Sequence, residues 1–230
     1  MSVHLQTLPD RGTTLRQAAL VAGLSLLVMS VAAPAAFFGI FPKLLVSGDI
    51  EATVRNIQDR EGLFLLGSFC YLITFLCDVL AAWALYVFLA PVNRSLSLLT
   101  AWFRLVYTVI ALVGLMKLFT VFRLLKTPDF VPDQIDLLLT SFRYEWNIGM
   151  VPFGIYLGLL GYLVYRSGYI PRILGVLLAV NGLGYLIDCL RPFLYPDINL
   201  GFIMVLFFGE LVFMAWLLAR GRRIQEVAAR

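Results

Sequence analysis

The sequence has little charge for its length, and this shortage excludes most soluble proteins. Only 14% of its 230 residues are charged, whereas 61% are hydrophobic. Soluble domains carry about 25% charged residues, so a soluble chain of this size has no means of hiding so much apolar surface. We therefore expect a protein that is embedded in a lipid bilayer.

Metal-binding residues are also scarce. His4 is the only histidine, and it lies in a short polar segment at the amino terminus. The three cysteines, Cys70, Cys77 and Cys189, lie inside apolar runs and show no Cys-x-x-Cys spacing. Zinc and haem sites depend on such ligands, so we expect inert thiols, no metal site and no cofactor.

The motifs of common soluble enzymes are absent from the chain. It contains no Walker loop, no dinucleotide glycine fingerprint, no His-Glu-x-x-His and no Gly-x-Ser-x-Gly. The net charge of +4 is small, and the basic residues sit in short loops and at the ends. This distribution is typical of a membrane protein, and it argues against nucleic acid as a partner.

Long apolar runs are the main feature that the sequence does contain. In the first run, Ser30–Ala35 resembles the cleavage site of a signal peptide, but the apolar residues continue beyond it. Its length therefore favours a membrane span that is kinked at Pro34. We predict an all-α, polytopic bundle of six transmembrane helices, at about 18–41, 63–89, 95–125, 146–165, 172–190 and 200–218.

Two features are predicted between and within these spans. Ile50, Val54 and Ile57 follow the spacing of one helical face, which predicts a short amphipathic helix on the membrane surface in the first loop. In the fourth span, Gly154, Gly158 and Gly161 form a small-residue face that suits close contact with another helix.

The basic residues also predict the orientation of the chain. About nine lysines and arginines adjoin one side of the six spans and about six adjoin the other. The richer side is expected to be cytoplasmic, with short turns at 91–94 and 166–172. We predict a cytoplasmic tail at 1–17, a transmembrane domain at 18–219 and a basic cytoplasmic tail at 220–230.

Several segments resemble the bacterial membrane family known as domain of unknown function 4386. They are 76–80, 85–94, 103–106, 161–178, 184–188 and 209–211, and the resemblance runs from about 18 to 218. It implies a multi-pass protein of the bacterial inner membrane without an established activity. The chain departs from the family at 142–147, where many members carry a histidine-containing polar stretch and this chain has none. Chemistry based on an imidazole is therefore not expected there.

Ionisable residues inside the apolar runs are the candidates for function. Each costs about 2.5–3.5 kcal/mol at mid-membrane and needs a partner or water. At about 1.5 Å per residue, four polar residues are expected at a similar depth from the cytoplasmic side. This inner layer consists of Asp78, Arg104, Asn181 and Glu210. Apolar neighbours disfavour the charged form of Glu210, so we expect it to be the functional acid rather than the main partner of Arg104.

A second polar layer is predicted nearer the outer face. It gathers Lys117, Arg143, Glu145, Asp188 and Arg191. Two stacked polar layers predict an interior that binds a small ligand, an ion or a proton. Two alternatives remain open. One is a non-catalytic subunit or regulator whose charges only lock the helices, and the other is an intramembrane enzyme that acts on a lipid-like substrate.

Overall fold

The structure is all-helical over the residues that it describes. This computed structural model describes 14–128, 130–194 and 208–221, and no strand occurs in those ranges. Its α-helices in chain order are α1 (Leu15–Pro34), α2 (Ile50–Asp59), α3 (Glu61–Leu89), α4 (Arg94–Leu124), α5 (Pro132–Arg166), α6 (Arg172–Leu194) and α7 (Phe208–Arg220).

Helix α1 begins with a capping box and changes geometry at Pro34. Thr14 accepts a hydrogen bond from the backbone of Gln17, whose side chain accepts one from the backbone of Thr14. Because Pro34 has no N–H to donate, the α-helical ladder is interrupted, and a π-helical segment, Ala35–Ile40, follows directly. The helix therefore changes to a π-helical geometry directly after Pro34, and the helical rod continues to Lys43.

Helix α2 is present where a helix is predicted in the first loop. The side chain of Asp49 accepts a hydrogen bond from the backbone N–H of Ala52 at 2.8 Å and caps its first turn. Val54 and Ile57 of the predicted apolar stripe are buried. Its place on a membrane surface stays a prediction.

Helices α3 and α4 form an antiparallel hairpin. Asn93 caps α4 by accepting a hydrogen bond from Leu96 N, and Ser97 Oγ donates to the carbonyl of Tyr86 at 2.9 Å. These bonds join the last turn of α3 to the first turn of α4. The turn between them is as tight as Pro91 and its neighbours predict.

Helix α5 is longer than the predicted fourth span. It runs without interruption for 35 residues, about 52 Å at 1.5 Å per residue, because the polar segment ahead of Trp146 contains no helix breaker. It packs closely on α6 through glycines. A Cβ on Gly161 would lie 2.6 Å from the carbonyl oxygen of Gly175, and one on Gly154 would lie 2.9 Å from that of Gly182. A Cβ on Gly158 would meet nothing within 4 Å.

The ends of the helices lie at two opposite faces of the bundle, which we call the turn face and the loop face. The turn face carries the α3–α4 turn and the α5–α6 turn, which are joined by a hydrogen bond from Tyr169 Oη to the carbonyl of Phe88 at 2.7 Å. Gly221 at the end of α7 lies beside Ala19 near the start of α1, so both belong to this face. The loop face carries α2 and the residues that join α4 to α5.

Among the residues that the structure describes, five helices are long and apolar enough to cross a membrane. They are the rod Leu15–Lys43, Glu61–Leu89, Arg94–Leu124, Pro132–Arg166 and Arg172–Cys189. Helix α7 has 13 residues, about 20 Å, and residues 200–207 of the predicted sixth span lie outside the described residues. The predicted tails at 1–17 and 220–230 also lie almost entirely outside them.

Candidate functional site

The centre of the bundle holds a buried ion pair between α3 and α4. Asp78 Oδ1 lies 2.6 Å from Arg104 Nη2, and both side chains are fully buried. The hairpin turn places these residues at equal distances along antiparallel helices, so the two charges meet at one depth. A pair without water needs such close contact, because neither charge is otherwise solvated.

Arg104 also contacts three helices outside the hairpin. Its Nη1 donates a hydrogen bond to Tyr156 Oη on α5, and the guanidinium carbon lies 4.7 Å from the centre of the Tyr156 ring. Its Nη2 lies 3.7 Å from the sulfur of Met29 on α1. Glu210 Oε1 on α7 lies 3.7 Å from Nη1. One guanidinium therefore faces two carboxylates and a phenol.

Asn181 on α6 adds an unpaired amide to this region. Its side chain is fully buried, and neither its Oδ1 nor its Nδ2 has a hydrogen-bond partner among the described residues. A Cβ on Gly209 would lie 3.3 Å from Asn181 Nδ2, so the amide lies beside the first turn of α7, next to Glu210.

These side chains form one layer across the bundle. Arg104, Tyr156 and Glu210 each lie ten residues from the end of their helix at the turn face, which corresponds to about 15 Å. Asp78 and Asn181 lie within two residues of the same depth. A hydrocarbon core is about 30 Å thick, so this depth corresponds to mid-membrane.

Several polar atoms of the layer have no hydrogen-bond partner within it. Among the described residues, Asp78 Oδ2, Arg104 Nε, Glu210 Oε1 and both polar atoms of Asn181 are buried without a hydrogen-bond partner. Each such group costs about 1–3 kcal/mol if it stays unsatisfied. Both donors and acceptors are available here for water or a small polar ligand.

Aromatic rings cover the layer on the side of the loop face. Phe75, Tyr107 and Phe153 stand three residues from Asp78, Arg104 and Tyr156, respectively, each toward that face. The ring centres of Phe75 and Tyr107 lie 6.4 Å apart, and those of Tyr107 and Phe153 lie 4.7 Å apart. Tyr185 of α6 extends this aromatic layer, since its ring centre lies 5.1 Å from that of Phe153.

The predicted outer layer is brought together only in part. Lys117 Nζ lies 3.2 Å from Glu145 Oε1, and both side chains are about one-third exposed. Arg143 lies apart from them and lines a cavity of about 260 Å³ near the loop face, which also contains Asp49 and Asp136. Asp188 is half-buried on α6, and the side chain of Arg191 lies outside the described residues.

Arg143 does not join Lys117 and Glu145 as predicted, because its side chain lies on a different side of α5. It stands two residues from Glu145 on the continuous helix α5, so the two side chains point to different sides of it. Depth along the membrane does not reveal this difference.

Tyr156 and Met29 are site residues that the charge pattern does not reveal. Both are uncharged, and apolar runs contain many such residues. The signal in the sequence is weak: Tyr156 stands ten residues before Arg166, at the depth of Arg104. Within the described residues, no three His, Cys, Asp or Glu side chains lie close enough together to hold a metal ion.

Comparison with known proteins places the chain in a family. Its residues 21–221 match the family described as Domain of unknown function (DUF4386). An uncharacterized protein of the archaeon Archaeoglobus fulgidus is 38% identical over 152 residues, which cover 66% of this chain and 82% of that protein. No solved structure matches. With a match across nearly its whole length, the chain belongs to the DUF4386 family, and its apolar helices indicate a membrane protein.

Proposed function

We propose that the layer around Arg104 is a proton-binding site and that Glu210 is the acid that takes up the proton. The observation that carries this proposal is the charge balance, since one guanidinium faces two carboxylates. With both acids ionised, the layer has one uncompensated negative charge. Such a charge at mid-membrane is costly, and a proton or a small cation removes it.

Glu210 is better placed than Asp78 to take the proton. Asp78 is fully buried and lies 2.6 Å from Arg104, so its charge is compensated directly. Glu210 is 3.7 Å away, retains one-fifth of its side-chain exposure and follows Gly209, whose lack of a side chain lets the Asn181 amide approach closely. The amide of Asn181 can hydrogen-bond either form of a carboxyl group.

A proton-uptake measurement tests this proposal. Purified wild-type protein and Glu210→Gln are titrated between pH 5 and 8 with a pH-sensitive dye, and thermal unfolding is followed in parallel. Wild type is expected to take up one proton that the variant does not. The variant should stay folded, because glutamine retains a donor and an acceptor. Glu51→Gln removes an exposed acid and is the control. Identical uptake by wild type and Glu210→Gln would overturn the proposal.

A structural role for the charges is the second candidate function. The observation in its favour is the complete burial of Asp78 and Arg104 at 2.6 Å, a geometry that also serves to fix helix register. On this alternative, the chain is a non-catalytic subunit or regulator, and Glu210→Gln changes neither proton uptake nor its pH dependence.

We further infer six membrane crossings. Five crossings that begin at the turn face leave the end of α6 at the loop face, whereas Gly221 lies beside Ala19 at the turn face. Helix α7, which ends at the turn face, supports a sixth crossing that returns the chain to the face where it begins. An even number of crossings follows.

We infer that the turn face lies in the cytoplasm of a prokaryotic cell. It carries Arg16, Arg94, Arg166, Arg172 and Arg220, and none of the described residues near it is acidic. Arg222 and Arg223 follow within three residues of Arg220 in the sequence. Basic residues in short loops favour the cytoplasmic side. The archaeal relative supports a prokaryotic plasma membrane, of which the bacterial inner membrane is one form.

A further inference from the structure

The surroundings of the Arg104 layer differ between its two sides. Toward the loop face, Phe75, Tyr107 and Phe153 bring bulky rings into mutual contact directly next to Asp78, Arg104 and Tyr156. Toward the turn face, the corresponding positions on α3 and α4 are small. Ala82 follows Asp78 by four residues, and Ala101 precedes Arg104 by three.

The small residues line a crevice that leads from the layer toward the α3–α4 turn. Its walls are one face of α3 and one face of α4, the same faces that carry Asp78 and Arg104, and Tyr156 lies at its inner end. The crevice is too narrow to hold a water molecule in this structure. Its lining residues are Ala82, Leu85, Tyr86, Leu89, Ser97, Thr100, Ala101 and Tyr156.

Hydroxyl groups follow one wall of this crevice. Ser97 Oγ donates to the carbonyl of Tyr86, and Thr100 Oγ1 donates to that of Leu96 at 2.7 Å. Because each proton is used in this way, each hydroxyl oxygen is left as an acceptor. Ser97, Thr100 and Tyr156 thus place three hydroxyl-bearing residues among those that line the crevice, and Tyr156 Oη contacts Arg104.

We propose that this crevice is the route by which water and protons reach the Arg104 layer, and that the aromatic layer closes the site toward the loop face. The inference rests on the proposed proton-binding function and adds the face of the bundle from which water and protons reach the site. Water enters when α3 and α4 separate slightly, which moves Leu85 and Leu89 apart from the opposite wall and opens the way to the small residues Ala82 and Ala101. The site therefore exchanges protons with the turn face alone.

Cysteine accessibility tests this route through three matched substitutions. Ala82→Cys lies in the crevice. Ala84→Cys lies on the same helix at nearly the same depth, is equally buried and does not line the crevice. Ala111→Cys is buried on α4 beyond the aromatic layer. Each is made in a full-length background in which Cys70, Cys77 and Cys189 are replaced by alanine, and folding is checked by thermal unfolding.

The variants are reconstituted in liposomes and exposed to 2-aminoethyl methanethiosulfonate on one side, with a thiol scavenger sealed on the other. Ala82→Cys is expected to react from the turn face by an order of magnitude faster than Ala84→Cys, and Ala111→Cys is expected to react from neither side. Equal rates for Ala82→Cys and Ala84→Cys, reaction of Ala82→Cys from the loop face, or reaction of Ala111→Cys would each overturn the proposal.

The outcome is independent of the proton-uptake test on Glu210. If Glu210→Gln loses the proton but Ala82→Cys stays unreactive, the proton-binding function stands and the route is wrong. If Ala82→Cys reacts as expected but Glu210→Gln takes up the same protons as wild type, the crevice admits water and the assignment of Glu210 is wrong.

Discussion

Arg104 connects more of the molecule than any other side chain in the polar layer. Through direct contacts with Asp78, Tyr156, Met29 and Glu210, it joins α4 to α3, α5, α1 and α7. Because none of these contacts is exposed to water at the arginine, its charge depends on them entirely. Removal of one carboxylate alone should therefore affect stability differently from removal of that carboxylate and Arg104 together.

The coupling between Asp78 and Arg104 is expected to be large. Removal of one member of a buried ion pair costs about 3–5 kcal/mol, because the other charge is left without its partner, whereas removal of both is often close to neutral. Asp78→Asn and Arg104→Gln should each lower the unfolding temperature in detergent. The double variant should be more stable than the sum of the two losses predicts. Plain additivity would contradict a direct interaction.

Tyr169 offers a test of the turn face in alkaline solution. Its hydroxyl donates to the carbonyl of Phe88, and burial raises the pKa of Tyr169 above its ordinary value of about 10. The folded state therefore holds this proton more tightly than the unfolded state. The resulting stability is complete below about pH 10 and is lost as the pH rises toward the pKa of the folded state.

Tyr169→Phe should accordingly cost about 1 kcal/mol at neutral pH through loss of the hydrogen bond. The difference from wild type should shrink above about pH 10, where wild type begins to lose the contribution of this proton. Thermal unfolding between pH 8 and 11 measures both effects. Tyr144→Phe, at a residue with an exposed side chain, is the control. A difference that grew with pH would contradict the assignment.

At the scale of elements, the contact between α5 and α6 is set by backbone rather than by side chains. The two helices approach so closely at Gly161 and Gly175 that each glycine occupies the space of the other's missing Cβ. Close approach increases the van der Waals contact between the backbones, which is a main source of helix association in lipid. The glycine spacing in the sequence predicts a close-packed face, and the structure confirms it at Gly154 and Gly161.

Two glycine substitutions on α5 separate the effect of the α5–α6 contact on stability from the effect of helix propensity. Gly161→Ala places a methyl group 2.6 Å from a backbone oxygen that has little freedom to move, and it should cost about 1–3 kcal/mol. Gly158→Ala meets nothing within 4 Å and should be neutral or stabilising by about 0.5–1 kcal/mol, because alanine favours a helix. Thermal unfolding of both variants is the measurement. Equal losses would show that the α5–α6 contact is looser than the structure indicates.

At the scale of the whole molecule, the crossing number and the orientation are tested together. Reporter fusions after Arg94, Arg166 and Gly221 are expected to read cytoplasmic, and one after Lys126 is expected to read external. Opposite readings at Arg94 and Gly221 would contradict six crossings. The reverse reading at all four positions would leave six crossings intact and overturn only the orientation.

The sequence by itself determined the class of the protein and the depth of its charges. A shortage of charge and a series of apolar runs require a membrane helix bundle, because the bilayer admits few other structures. Depth follows from counting residues along a helix, since each residue advances the chain by a fixed rise. On this basis the sequence alone assigns Asp78, Arg104 and Glu210 to one layer.

Only the tertiary structure decided which side chains meet within a layer. Contact depends on the rotation of each helix about its axis and on the order of helices around the bundle, and neither is encoded in depth. Thus Lys117 pairs with Glu145 while Arg143 lies apart at a cavity, and uncharged Tyr156 and Met29 contact Arg104. The physical reason is that nearly every face of these helices is apolar, so the hydrophobic pattern leaves rotation open, and close packing with the few buried polar contacts fixes it.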